Sequence, residues 1–213
     1  MLENAEFISL EKNPLISIRV TRGHFTTNMS HYNHYLDMGQ LKFNALIAKD
    51  VAREFAIPYV NTTLIDTIFC MERTEVIGAF LAQELMTDGI CVVNSEQRIY
   101  VLTPVTGADN KLLLPDNRVD KLSGKNVLLL MASITSGVMV ETALDCINYY
   151  GGNLVGVSTI LMTKPRENLD NVNALFTPDN FEGFASYRAD DCEMCRRGEK
   201  LDGLIYSEGY RRL

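Results

Sequence analysis

Residues Asn126–Leu161 read NVLLLMASITSGVMVETALDCINYYGGNLVGVSTIL. Lys125–Ala132 carries a continuous apolar run of strand length, as in a strand buried on both faces. Ser133, Thr135, Ser136 and Gly137 crowd the turn that follows. The spacing then predicts a helix over Val138–Tyr150, stopped by Gly151-Gly152, and a second strand over Leu154–Met162. Strand, helix and strand in this order imply parallel pairing through a right-handed crossover.

The same alternation extends outward. Thr63–Met71, Ile90–Asn94, Ile99–Thr103 and Val172–Phe176 read as strands. Glu75–Met86 reads as a helix ended by Asp88-Gly89. Pro104–Asn117 is rich in turn residues around one apolar triplet, Leu112–Leu114. The expected fold is α/β, a doubly wound, mostly parallel sheet with helices on both faces. Residues 1–32 read as an extended arm with a short strand at Leu15–Thr21. Ser30 or Asn33 then caps a long helix, whose apolar face runs from Leu36 through Leu41, Ala45, Leu46, Ala48 and Ala52 to Phe55 and which ends before Pro58. This gives an N-terminal helical arm (1–60), an α/β core (61–178) and a C-terminal tail carrying the CxxC (179–213).

Composition narrows the function classes. Of 213 residues, 46% are hydrophobic and 22% charged, enough for a full core and unlike a disordered chain. With 20 Lys and Arg against 27 Asp and Glu the net charge is −7, which argues against a nucleic-acid backbone as partner. Apolar runs such as Val127–Ala132 are far short of the roughly 20 residues that cross a bilayer. Five cysteines and no secretory pattern in MLENAEFISLEKN point to reduced thiols and a cytoplasmic protein without membrane partners.

Ligands of an open parallel sheet sit at the carboxyl ends of its strands. Two such ends carry polar residues: Phe69–Glu75 and Met131–Met139. Hydroxyls and orphan N–H groups at a helix start suit a phosphate. An ordinary helix cap uses the same residue types.

The Asn126–Leu161 block resembles the signature of the type I phosphoribosyltransferases: a hydrophobic strand, two acidic residues, a Thr/Ser-Gly phosphate loop, a helix, a glycine turn and another strand. GHFTTNMSHYNHYLD (Gly23–Asp37), YYGGNLVGVSTI and the C-terminal CEMCRRGEKLDGLIYSEGYRRL are similar to the orotate phosphoribosyltransferase-like branch of that family. The resemblance implies transfer of a phosphoribosyl group from phosphoribosyl pyrophosphate to a nucleobase, orotate in that branch, within pyrimidine biosynthesis. It implies Mg²⁺ as cofactor and a homodimer. Thr135, Ser136 and Gly137, with Ser133 in the same turn, match the loop for the 5′-phosphate. Cys70–Glu75 matches the pyrophosphate loop, making Glu72, Arg73 and Thr74 substrate-binding candidates. Three positions depart from the pattern. The acidic pair for the ribose hydroxyls falls on Met131 and Ala132, and the last hydroxyl of the phosphate loop on Met139. No lysine-rich loop is visible between Ile90 and Asn126. Each hydrogen bond to a carboxylate contributes about 1.5–3 kcal/mol. Losing two therefore weakens binding or rate roughly 10²–10⁴-fold unless Glu72, Glu75 or Glu141 reaches the ribose. The alternative is a protein that keeps the fold and an anion pocket and serves as a phosphate- or nucleotide-binding regulator or scaffold.

Two further groups of residues carry chemistry. Cys192 and Cys195 have the spacing of half a zinc site, of a redox pair, or of two buried thiols. A zinc site there needs ligands from a second subunit or a histidine of the arm. His31 and His34 are three apart and share a face of the expected helix.

Overall fold

The computed structural model describes residues 5–87, 92–107, 111–164, 169, 172–206 and 209–213. Ile16, Ile18 and Val20 are buried in alternation along the first long strand, the period-two pattern of a sheet with one packed face. The elements in chain order are β1 (Glu6–Leu10), β2 (Asn13–Thr26), β3 (Ser30–Asp37), α1 (Gly39–Phe43), α2 (Ala45–Ala56), β4 (Thr67–Cys70), α3 (Glu75–Leu85) and β5 (Tyr100–Leu102). A small hairpin of β6 (Val105–Thr106) and β7 (Leu112–Leu113) follows, then α4 (Asp116–Val119), β8 (Asn126–Ile134), α5 (Val138–Tyr149), β9 (Asn153–Met162) and β10 (Asn173–Phe176). The chain closes with β11 (Ser186–Arg188), α6 (Glu193–Arg196), β12 (Gly203–Tyr206) and β13 (Gly209–Arg212).

Five strands form a wholly parallel sheet in the order β10-β9-β8-β4-β5. Successive residues of β8 serve opposite faces. Leu128 and Leu130 pack with Ile68, Leu81, Val51 and Phe55, on the side of α2 and α3. Val127, Leu129 and Met131 pack with Val140, Ala143 and Ile147 of α5. Helices thus cover both faces, as the alternation of apolar runs and helical periods requires.

The connections from β4 and β8 run in opposite directions. From β4 the chain passes through α3 to β5; from β8 it passes through α5 to β9 on the other side. The carboxyl ends of β4 and β8 therefore flank the point where the strand order reverses, and loops diverging there leave a crevice.

The amino-terminal third differs from its sequence reading. Residues 30–37 form strand β3, antiparallel to β2, instead of the start of a long helix. His31, Tyr32, His34, Tyr35 and Leu36 are all buried, so the segment is packed on both faces and its aromatic, β-favouring residues decide the outcome. The spacing that linked Leu36 to Leu41 and Ala45 spans a strand-to-helix junction. Asn44 then ends α1 and caps α2, its Oδ1 accepting from the N–H of Leu46 (3.1 Å) and Ile47 (3.4 Å). Leu46 lies outside the expected apolar face, 73% exposed. His31 and His34, three apart on a strand, point to opposite faces. The strand expected at Ile90–Asn94 is absent from its described part, residues 92–94; Ile90 and Cys91 lie outside the described residues. There Asn94 is fully buried, accepting from the N–H of Ile65 and donating to the Thr63 carbonyl, both at 2.9 Å.

The two ends of the chain share a second sheet, ordered β11-β3-β2-β12-β13, with β1 added on β2. β12 runs parallel to β2, and β11 antiparallel to β3. Among the described residues no helix is long and apolar enough to cross a membrane.

Candidate functional site

Between the two sheets, at the carboxyl ends of β4 and β8, lies a cavity of about 510 Å³. That is ample for a small-molecule ligand. Its walls come from β3 and the α1 region, the β4–α3 loop, the β8–α5 turn and the C-terminal hairpin.

The β8–α5 turn supplies Ser133, Thr135 and Ser136 to the cavity, with Val138 and Met139 of the first turn of α5 beside them. Gly137 sits at the N-cap in the left-handed region (φ 87°), which a side chain would strain. No side chain caps α5, and the first backbone bond of the helix start runs from the Glu141 N–H to the Gly137 carbonyl (3.0 Å). The amides ahead of it carry the positive end of a 12-residue helix toward the cavity.

The β4–α3 loop is built differently. Glu72 and Arg73 both adopt positive φ, 55° and 65°. This turn carries the partly buried Glu72 side chain across to β8, where its Oε2 accepts from the N–H of Ala132 (3.1 Å) and of Ser133 (2.8 Å). Burial raises its carboxyl above the usual carboxylate range; the Ser133 N–H, the Lys42 ammonium and the Ala132 N–H oppose that shift. Lys42 is itself buried and donates to the Glu72 carbonyl at 3.1 Å. Both residues line the cavity.

Not every candidate reaches this space. Thr74 is fully buried, and its hydroxyl is spent on the carbonyls of Met71 (2.8 Å) and Leu130 (3.1 Å). It braces the loop and does not line the cavity, nor does Arg73, which is exposed. Met131 is fully buried in the apolar cluster under α5, whereas Ala132 faces the cavity. Glu75 receives a hydrogen bond from the Thr103 hydroxyl (3.1 Å) and Glu141 is exposed on α5. Cys192 and Cys195 lie outside the cavity.

Of the cavity residues on β3, His34 was singled out in the sequence, while Asp37 and Tyr35 carried no signal there. Asp37, at the end of β3, accepts from the Gly39 N–H (2.9 Å) and faces the cavity together with His34 and Tyr35. Burial, with Arg22 adding to it and Glu6 opposing, lowers the His34 pKa and favours the neutral ring. Burial, then Asp37 and Tyr210, pushes the Tyr35 hydroxyl up to about 12. Ile205, Tyr206 and Gly209 close the wall from the C-terminal hairpin. A strand reading of residues 30–37 would have placed Tyr35 and Asp37 on one face; the helix reading scattered them.

No family model and no curated protein sequence matches the chain. Solved structures do. An orotate phosphoribosyltransferase of Mycobacterium tuberculosis H37Rv, in complex with Fe(III) dicitrate, superposes with a TM-score of 0.50 at 14% identity, over 78% of this chain and 93% of that one. UMP synthase of Leishmania donovani superposes with a TM-score of 0.52 at 15% identity, over 74% of this chain and 33% of that one. At such identities the shared property is architecture: a parallel sheet with helices on both faces. The chain has the fold of the type I phosphoribosyltransferases.

Proposed function

We propose that the cavity is a phosphoribosyl site and that its reaction is phosphoribosyl transfer from phosphoribosyl pyrophosphate to a nucleobase, with orotate the base the resemblance implies. The 5′-phosphate would sit on the Thr135–Val138 turn, facing hydroxyls and free helix-start amides. The observation that carries the reading is the position of Glu72. Its carboxylate lies against the N–H groups of Ala132 and Ser133, the end of β8 at which the sequence resemblance expects acidic residues. The loop after β4 thus supplies the acceptor for ribose hydroxyls that β8 lacks.

The chemistry asks little covalent work of the protein. A ring nitrogen of the base attacks C1 of the ribose, the C1–oxygen bond breaks, and pyrophosphate leaves with the electron pair. The chain's residues orient the two reactants and exclude water. Asp37 and Glu72 are the carboxylates lining the cavity among the described residues, and each already accepts backbone N–H bonds. Such a donor set fits Mg²⁺ only alongside substrate phosphates, the usual manner of that ion. Bound so, Mg²⁺ would neutralise charge on the pyrophosphate.

A second reading, binding without transfer, is favoured by a specific observation: Met131 offers no acceptor and Glu72 Oε2 is already shared between two amides. Calorimetric titration with phosphoribosyl pyrophosphate and Mg²⁺, with and without orotate, separates the two. Tighter binding in the presence of orotate, with pyrophosphate released on mixing, supports the transferase. Equal affinity for inorganic phosphate and for the full substrate, with no pyrophosphate formed, replaces it by the binding protein.

A further inference from the structure

We propose that His24, His31, Cys192 and Cys195 form a closed four-ligand zinc site that staples the C-terminal segment to the β2–β3 hairpin. The two cysteines are half of a ligand set by sequence; the fold supplies the other half from residues some 170 positions away. One ligand atom from each of the four lies within 4.8 Å of every other. Cys192 Sγ is 3.6 Å and Cys195 Sγ 3.7 Å from His24 Nε2, and Cys195 Sγ is 3.4 Å from His31 Nδ1. With Zn–N near 2.0–2.1 Å and Zn–S near 2.3 Å, a tetrahedron has N···S edges of about 3.5 Å. The two imidazole nitrogens are 2.8 Å apart, and a metal between them asks the rings to part by about 0.5 Å.

The backbone is arranged for this convergence. The β2–β3 register shifts between Arg22 and Phe25, a bulge that turns His24 toward α6. Cys192 caps α6 and Cys195 follows within its single turn, so both thiols face the histidines. His24 Nδ1 contacts the Glu199 carbonyl at 2.9 Å. A carbonyl only accepts, so Nδ1 is engaged as a donor and Nε2 is the nitrogen turned toward the cluster. That outer contact is what a metal-ligating histidine needs. His24 and Cys192 are both 2% exposed, and His31 is 8% exposed. Four protein ligands leave no open position, so the ion is structural, and two thiolates with two imidazoles select zinc. Its place is mechanical. From Cys195 the chain runs directly into β12, which pairs with β2 and ends in the cavity wall.

The test uses the whole chain, purified without a histidine tag. Elemental analysis is expected to find about one zinc per chain. After removal with a chelator, Co²⁺ should bind with the ligand-field and thiolate bands of a tetrahedral S₂N₂ centre. Cys195→Ser, at the exposed ligand, and His31→Ala should each lower zinc affinity by roughly tenfold or more in competition with a chromophoric chelator. Because Cys195→Ser removes a surface atom, its fold can be verified separately by circular dichroism. A folded wild-type chain that carries no metal, takes up neither Zn²⁺ nor Co²⁺ under reducing conditions, and whose Cys192 and Cys195 react freely with thiol reagents overturns the proposal. So does unchanged zinc affinity in both variants.

Discussion

Replacing Glu72 by glutamine should preserve the fold and weaken the ligand. Both amides that Glu72 receives, Ala132 N–H at 3.1 Å and Ser133 N–H at 2.8 Å, point at the single oxygen Oε2. The amide oxygen of glutamine can occupy that position and keep both bonds. What the substitution removes is charge. Burial raises the Glu72 carboxyl above its usual 4.5, despite the opposing Ser133 amide and Lys42. A carboxyl with a raised folded pKa contributes stability that is complete below the unfolded value and is lost as pH rises through the folded one. The wild type and Glu72→Gln should therefore unfold alike at roughly pH 4, and the variant should be the more stable at roughly pH 7. Binding should move the other way. A ribose hydroxyl loses a charged acceptor contributing about 1.5–3 kcal/mol, or roughly 10–150-fold in Kd. Urea unfolding at the two pH values and calorimetry with phosphoribosyl pyrophosphate measure the two effects, with inorganic phosphate as the control that should not change. A variant destabilised by more than about 1 kcal/mol at neutral pH refutes the electrostatic argument. Unaltered affinity for phosphoribosyl pyrophosphate refutes the placement of the ribose.

Four other perturbations test neighbouring claims. In β9 a Cβ at Gly156 would lie 2.7 Å from Tyr59 Cε1 and 2.9 Å from its hydroxyl, which accepts from Ser158 and donates to the Val157 carbonyl. Gly156→Ala should cost about 1–3 kcal/mol, and differential scanning calorimetry should show Tm falling by about 2–4 °C for each kcal/mol. Cys70 is fully buried and its thiol is pushed up to about 12, so peptide mapping after iodoacetamide should find it unmodified in the native chain and modified in denaturant. Met131→Asp places a carboxylate among Phe69, Leu129 and Val140 and should cost about 3 kcal/mol or more in urea unfolding. Ala132→Asp faces the cavity instead, and in the Glu72→Gln background it should restore affinity for phosphoribosyl pyrophosphate without loss of fold.

What the sequence disclosed follows the range of the interactions involved. β8, α5 and β9 are local patterns: a buried apolar run, a 3.6-residue period and glycine stops each reveal themselves within a dozen residues. Their observed limits, Asn126–Ile134, Val138–Tyr149 and Asn153–Met162, differ from the sequence reading by a residue or two. β3 was not legible because its residues are buried on both faces and one of its edges is paired with β11, from the far end of the chain. Burial on both faces erases the alternation that marks a strand, and a helical period can then be traced through it. The cavity was half legible. Ser133, Thr135 and Ser136 follow a local turn signal, whereas Asp37, Tyr35 and Lys42 reach the same space only through the pairing of β2 with β3 and the docking of α1. The histidines beside Cys192 and Cys195 were visible as residues, but their convergence depends on a bulge no local pattern announces.

The proposed replacement of a β8 carboxylate by Glu72 has a simple geometric basis. β4 and β8 are parallel neighbours with Cys70 opposite Leu130. Two residues farther along each chain, Glu72 and Ala132 stand at the same level on the lips of one crevice. A side chain on the β4 lip can serve β8 only if its backbone turns sharply, and Glu72 does so at a φ of 55°. The left-handed conformation costs a non-glycine residue about 1–2 kcal/mol. Two hydrogen bonds from backbone amides to a charged acceptor contribute about 1.5–3 kcal/mol each. These bonds offset the strain of the turn, while the burial of the charge opposes them. A glycine at residue 72 would relax the backbone and lose the acceptor. Two successive residues at positive φ beside the cavity, 55° and 65°, are the strain that the proposed role of Glu72 in holding the ribose would account for.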